Sequence, residues 1–359
     1  MQIDQLWLRD FRTYEELDLA LPAGLTCIVG NNGIGKTNLL EALAWVATLE
    51  SFRGADVGSM VRVGAPRGIV RAEGVGVRRP VLVETELRLQ GRGQTQLNRK
   101  RLGRTADLYE QLRVSVFAPD DLEMVKGSPS ERRRFLDTSM VAVEPRLDAL
   151  RKDYAKVLKQ RNALLRQTKG RLTDDLAITL EVWNDRLSAL GEQLGAARLQ
   201  LVQDAVPFVA EAYATLAGES KEVQLTYVAP WMDTGLHDAL DAVRNDELRR
   251  GTSLVGPHRD DLAIELGGLP SRTHASQGEQ RSLALALRLG VHLLVTDRVG
   301  AAPLLLLDDV FSELDASRST ALFAALPPGQ SLLTSAIDLP PGATPAQLLR
   351  AEPGRLIPG

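Results

Sequence analysis

Leu25-Thr26-Cys27-Ile28-Val29 runs directly into Gly30-Asn31-Asn32-Gly33-Ile34-Gly35-Lys36-Thr37, and then into Asn38-Leu39-Leu40-Glu41-Ala42-Leu43. The middle eight residues fit G-x-x-x-x-G-K-[ST], the loop that cradles the phosphates of a nucleoside triphosphate. The apolar run before it reads as a buried strand and the stretch after it as a helix, the setting the motif requires. Glycines let successive backbone N–H groups approach the phosphate oxygens, and the positive end of the helix adds to the attraction. In this pattern Lys36 reaches the β- and γ-phosphates and the Thr37 hydroxyl ligates Mg²⁺.

A continuous apolar run, Leu304–Leu307, ends in Asp308-Asp309. This is the pattern of a buried parallel strand that delivers carboxylates to the edge of a sheet where ligands bind. Asp308 is the candidate Mg²⁺ ligand, and Asp309 is the candidate base that polarises an attacking water. Between loop and acids, Ser276-Gln277-Gly278-Glu279 opens the helical series Leu283, Leu287, Val291, Leu294. Ser276 and Glu279 form S-x-x-E, a capping box, and the N–H groups of such a helix start also suit a γ-phosphate.

The chain has 359 residues with 44% hydrophobic and 25% charged, which excludes a disordered or collagen-like polymer and allows two domains. One cysteine, Cys27, rules out an internal disulfide framework and a C-x-x-C metal clip, and fits a reducing, cytoplasmic setting. Asp4, Arg9 and Asp10 do not fit a secretory leader. Arg288 and His292 interrupt the richest apolar run, so no membrane span or membrane partner is expected. The formal charge of -3 is unevenly spread. Lys126–Arg171 holds thirteen basic and five acidic residues (net +8), and Arg88–Arg104 holds six basic residues and no acid, which leaves -17 for the rest. Such asymmetry predicts a basic face for a polyanion on an acidic body. The candidates for contact with such a polyanion are Arg99, Lys100 and Arg101 at a hairpin tip, and Arg132, Arg133 and Arg134.

In chain order, Gln2–Leu8 and Leu17–Leu21 read as strands flanking Asp10–Tyr14. Arg12 within that turn either contacts nucleotide or simply lies at the surface. The period-two alternation from Val81 to Leu89 predicts a half-buried strand, paired through Gly91-Arg92-Gly93 with Gln94–Asn98. From Phe117 a helical middle begins. Leu147, Leu150, Tyr154 and Val157 form one seam, broken by Arg161 before Leu164. Leu176, Leu180, Trp183, Leu187, Leu190, Leu194, Ala197 and Leu201 form a second. Two such seams joined at Lys169-Gly170 predict an antiparallel helical hairpin about 40 Å long. Strands are expected again at Val223–Val228, Leu254–Gly256, Leu262–Leu266 and Ser331–Leu333. Gly256–Asp261 reads equally as a turn into a strand or as a nucleotide- or lobe-contacting loop, and the last twenty residues carry no usable pattern.

Ser276–Glu279 resembles the signature of the ATP-binding-cassette class, which contacts nucleotide held by a second subunit, and Ser312–Asp315 resembles its D-loop, with Asp315 at the dimer boundary. The switch histidine that transporters carry near Thr334 is absent, and no glutamine marks a Q-loop, so slow hydrolysis is expected. More of the chain supports a closer resemblance. Phe11-Arg12, Gly30–Ala42, Phe117–Leu122, Lys126–Pro129 with Arg132–Asp137, Gly256–Leu262, Ser276–Arg281 and Asp308–Asp315 together resemble the RecF family of bacterial recombination mediators, related to the heads of the structural-maintenance-of-chromosomes class.

The resemblance implies an α/β, ABC-type P-loop ATPase head built from residues 1–116 and 251–359, with a mainly helical lobe, 117–250, inserted between them. It further implies an ATP-dependent homodimer in which Ser276 is supplied in trans. It implies binding of double-stranded, single-stranded and gapped DNA, weak DNA-stimulated ATP hydrolysis, and work with RecR and RecO to load RecA. The competing reading is an energy-coupling subunit of a membrane transporter, and a third is a dimerising scaffold with vestigial nucleotide binding.

Overall fold

The motif-bearing strand Leu25–Val29 occupies the interior of a six-stranded sheet in the computed structural model of the chain, which describes residues 1–168, 170, 172–219, 221–336 and 338–359. Across this sheet the strands run Arg355–Pro358, Gln347–Glu352, Leu25–Val29, Ser331–Ser335, Leu304–Asp308 and Val114–Phe117. All neighbours are parallel except the terminal Gln347–Glu352/Arg355–Pro358 hairpin. Apolar residues dominate the central strands because helices or the second sheet cover parallel strands on both faces. The register aligns Val29 with Ser335, Asp308 with Thr334 and Leu307 with Phe117, so four strands end at one edge.

A second, antiparallel sheet of six strands, Tyr14–Ala20, Gln2–Phe11, Arg67–Val75, Pro80–Arg88, Gln94–Leu97 and Lys100–Arg101, contributes Leu6, Leu8, Val70, Ala72, Val81 and Val83 to the same core as Ile28, Leu39, Leu43 and Leu306. The helix Lys36–Thr48 is buried between them, with Leu39, Leu40, Leu43 and Val46 inaccessible. Asn98 and Arg99, both at positive φ, form the two-residue turn to Lys100–Arg101. That conformation matches the twist of paired strands, and the basic tip expected there is exposed.

Two compact units divide the chain: Met1–Asp121, Phe208–Ser220 and Arg281–Gly359 in one, Leu122–Pro207 and Lys221–Gln280 in the other. The expected boundary at residue 250 therefore moves. The strand Asp261–Leu266 pairs antiparallel with Val223–Val228, Leu262 opposite Tyr227, in a small sheet of its own. The returning strand pattern belongs to the helical unit rather than to the head. Leu254–Gly256 forms no strand. In its place, the Ser253 and Leu254 amides donate to Asn162 Oδ1 and Glu247 Oε1.

The helical seams hold as expected. Helices Leu147–Thr168 and Asp174–Ala217 form the hairpin, although its turn at Lys169 lies outside the described residues, as does Arg171. Arg161 donates to Asn184 Oδ1 at 2.9 Å, Leu165 and Leu180 share one apolar cluster, and Tyr154, with Leu236, packs into the space beside Gly191. In each pair the two numbers move oppositely, as antiparallel helices demand. The second helix extends beyond the expected seam to Ala217, through Pro207, where one backbone N–H is lost and the division between units falls.

Arg161, the residue that interrupts the seam, is only 1% exposed, and each of its three guanidinium nitrogens donates a hydrogen bond. Besides Asn184 it donates to Ser253 Oγ (2.7 Å) and to Glu247 Oε2 (2.6 Å). Gly256–Asp261 acquires a role by the same logic. Asp260 is buried and accepts from Trp231 Nε1 at 2.8 Å and from Tyr227 Oη, while Arg198 donates to the Pro257 carbonyl at 2.6 Å and pairs with Asp137. His258 bonds Tyr154, and burial pulls its imidazole down to about 4. The segment is a polar core of the helical unit, in which the Asp260 carboxylate, the His258 ring and the Pro257 carbonyl are each hydrogen-bonded.

Candidate functional site

Gly30 leaves the sheet at the edge where Asp308 arrives, its N–H bonded to the Ser335 carbonyl (3.2 Å). The loop needs glycine where φ is positive. At Gly35, φ is 116° and an added Cβ would lie 2.6 Å from Thr13 Oγ1, so neither conformation nor space admits another residue. Gly33, at φ 80°, faces open space. Tyr14 Oη donates to the Gly35 carbonyl (3.1 Å), and Asn38 bonds Thr13, so the Asp10–Tyr14 turn props the loop from below. Burial raises the Tyr14 hydroxyl to about 12, which keeps it a donor. Neither Thr13 nor Tyr14 was singled out from sequence. The aromatic residue closing the Phe11–Tyr14 strand pair was the available signal.

Lys36 Nζ donates to the Gly30 carbonyl at 2.5 Å and the Asn31 carbonyl at 2.9 Å. Burial lowers its pKa, opposed by Asp309 and Asp308. Thr37 Oγ1 donates to Asp308 Oδ1 at 2.9 Å, which joins the first and last motifs across 271 positions. Asp308 is itself pushed upward, first by burial, while hydrogen bonds from Thr334 and Thr37 favour its carboxylate and Asp309 opposes it. Asp309 adopts the left-handed conformation (φ 50°, ψ 24°), and its Oδ1 is buried with no hydrogen-bond partner among the described residues. No side chain caps the helix that begins at Lys36. An uncapped helix start, an ammonium, a hydroxyl–carboxylate pair and an orphaned buried carboxylate oxygen fit a phosphate chain with a hard divalent cation. Thr37 and Asp308 would hold the Mg²⁺, and Asn31, Asn32 and Ile34 contribute backbone to the loop.

Arg12 is placed otherwise than as an open contact. Its guanidinium forms a fork on Glu41, with Nε to Oε2 at 2.7 Å and Nη2 to Oε1 at 2.8 Å, and donates to the Ser59 carbonyl. Glu41 is 0% exposed and accepts a further bond from Ser51. Arg12 thus neutralises a buried carboxylate on the phosphate-loop helix.

In the other unit, Ser276 is exposed, and the capping box forms as expected. The Ser276 amide donates to Glu279 Oε2 (2.7 Å) and the Glu279 amide to Ser276 Oγ (3.3 Å). Glu279 is pulled down to about 2, chiefly by Lys221 and then by Ser276. Gln277 and Gly278 open the 23-residue helix Gln277–Val299. Asp315 caps the helix Ala316–Ala325 through the Arg318 amide at 2.8 Å.

The basic candidates separate sharply. Arg99, Lys100, Arg101 and Arg134 are exposed. Arg132 is only 6% exposed, grips both oxygens of Asp261 at 2.6 and 2.8 Å and donates to the Gly127 carbonyl. Arg133 donates to the Asp260 carbonyl, and burial lowers its pKa. A run of three arginines on a helix must point in different directions, and here two of them point inward. Arg132 and Arg133 hold the helical unit together, so the expectation that they meet DNA is withdrawn.

The head's parallel sheet, its phosphate loop and its paired acids define an ABC-type ATPase head. Residues 2–331 match the family described as RecF/RecN/SMC N terminal domain. The chain is 40% identical over 94% of both chains to the DNA replication and repair protein RecF of Pseudarthrobacter chlorophenolicus, and 39% identical over 94% of both to that of Arthrobacter sp. strain FB24. It superposes on a solved structure of the recombination mediator protein RecF-ATP in the RecFOR pathway with a TM-score of 0.90 at 25% identity, covering 99% of this chain and 97% of the other. An Smc head domain from Pyrococcus furiosus, at 17% identity and a TM-score of 0.57 over 99% and 94% of the two chains, shares the fold. The chain belongs to the RecF family. Among the described residues, no helix is long and apolar enough to cross a membrane.

Proposed function

We propose that this protein is an ATP-dependent, DNA-binding recombination mediator whose two copies close around two ATP molecules. The convergence of Lys36, Thr37, Asp308 and Asp309 at one sheet edge carries this reading, together with family membership and a close structural likeness to an ATP-bound RecF. Lys36 would exchange its backbone carbonyl partners for β- and γ-phosphate oxygens, a stronger charge-assisted contact. Mg²⁺, when bound, would neutralise charge on the same oxygens. Asp309 would orient the attacking water and take its proton. Its side chain is shorter than the glutamate common at this position, which favours slow turnover.

The exposed Ser276 and its helix N-terminus would bind the γ-phosphate of the partner's nucleotide, with Asp315 near the seam between copies. Hydrolysis removes that differential contact, and the dimer opens. Closed, it would hold gapped DNA or a single-strand/double-strand junction through backbone phosphates, with Arg99, Lys100 and Arg101 as the leading candidates. RecO and RecR would act with it to place RecA in a cytoplasmic, nucleoid setting. Sedimentation with and without ATP, repeated with gapped DNA, tests this proposal. Wild type should become dimeric with ATP, Lys36→Met should bind little ATP and remain monomeric, and Ser276→Arg should bind ATP without dimerising. A Ser276→Arg protein that dimerises normally would remove the trans contact.

A further inference from the structure

Thr334 stands where a transporter would carry a γ-phosphate-sensing histidine, yet it is 0% exposed and lies on the buried strand Ser331–Ser335 between Leu25–Val29 and Leu304–Asp308. The parallel register sets it beside Asp308 on one side and Ile28 on the other. Its neighbours Leu332 and Leu333 are buried and apolar. A fully buried hydroxyl in such a strand is costly unless both its donor and its acceptor capacity are used.

Both are used, and on the two acids of the site. Thr334 Oγ1 donates to Asp308 Oδ1 at 2.8 Å and accepts the Asp309 backbone N–H at 3.0 Å. Thr37 donates to the same Asp308 oxygen, so the carboxylate is held between a phosphate-loop residue and Thr334. The second bond anchors Asp309 at a φ of 50°, a region uncommon for residues other than glycine. Released from that bond, the peptide would relax towards an ordinary conformation and swing the Asp309 carboxylate away.

We infer that Thr334 is a positioning residue that clamps the Asp308-Asp309 pair, fixing the carboxylate of the first and the backbone of the second through one hydroxyl. Both of its hydrogen bonds go to the two acids, so its contribution lies in their geometry. This inference rests on the ATPase reading of the same site. Thr334→Val keeps the shape and removes both hydrogen bonds, whereas Thr334→Ser keeps both.

Steady-state ATP hydrolysis and hydrogen exchange at the Asp309 amide, measured on the full-length protein, test it together. The valine variant should lose roughly 10–100-fold in kcat, the usual penalty for removing an orienting partner, with KM little changed. Its Asp309 amide should exchange faster than in wild type, and serine should restore both. Valine matching wild type in kcat and in amide protection would overturn the inference. If wild type itself fails to hydrolyse ATP, the functional reading fails while amide exchange still judges the clamp. If the valine variant does not fold, an unprotected Asp309 amide in wild type would overturn the clamp by itself.

Discussion

Replacing Arg132 with glutamate separates structural arginines from DNA-contacting ones. Arg132 makes two bonds to Asp261 and one to the Gly127 carbonyl while 6% exposed, and the Asp261 side chain is 32% exposed. Removing one partner of a buried pair costs about 3–5 kcal/mol, and partial solvent access to Asp261 lowers this while the reversed charge raises it. We expect a loss of about 3 kcal/mol, equivalent to a fall of roughly 6–12 °C in the melting temperature of the helical unit. Trp183 and Trp231 lie in that unit and report its melting by fluorescence.

The contrasting perturbation is alanine at Arg99, Lys100 and Arg101. These exposed residues should leave the melt unchanged. If each neutralises one phosphate, their loss should reduce the slope of log K against log salt by up to about 2.7. An Arg132→Glu protein that melts like wild type and shows the shallower salt slope would refute this division.

Arg12→Ala strips a guanidinium from the fully buried Glu41, and thermal melting of the head should show a loss of about 3 kcal/mol or more. Glu41→Gln made together with it should recover part of that loss. Acid should destabilise both units through buried histidines. His258 and His292 are each pulled from 6.5 to about 4 by burial, so the unfolded chain binds protons that the folded chain refuses. Stability is therefore kept above pH 6.5 and falls as pH drops towards 4, by about 3 kcal/mol per histidine at the lower limit. His292→Gln should flatten the pH dependence of head melting over that window, and an unchanged slope would contradict it.

Much of this was legible in local pattern. Leu25–Val29, the glycine loop and Leu304-to-Asp309 announce themselves because phosphate binding fixes residue types at fixed offsets, and apolar runs mark buried parallel strands. The capping box at Ser276 reads equally well, because both of its bonds lie within four residues. What sequence hid was long-range pairing. Ser253 and Asp260 belong to the helical unit through bonds to residues 92 and 33 positions away, respectively, and nothing local says so. Arg132 looks like Arg134 until Asp261 is known to face it. Gln347–Glu352 was missed because Gln347, Arg350 and Glu352 interrupt its apolar residues, and only register places it between Leu25–Val29 and Arg355–Pro358. Thr334 was read for the histidine it is not, since only strand register brings it to Asp308.

Mixing two inactive chains tests the shared site most directly. Lys36→Met spoils the phosphate loop and leaves Ser276 intact, whereas Ser276→Arg does the reverse. If each reaction chamber takes its loop from one copy and its serine from the other, the mixture contains dimers with one complete chamber, and ATP hydrolysis should return when two silent preparations are combined. A mixture as inactive as its components, while wild type hydrolyses ATP under the same conditions, would contradict the shared site.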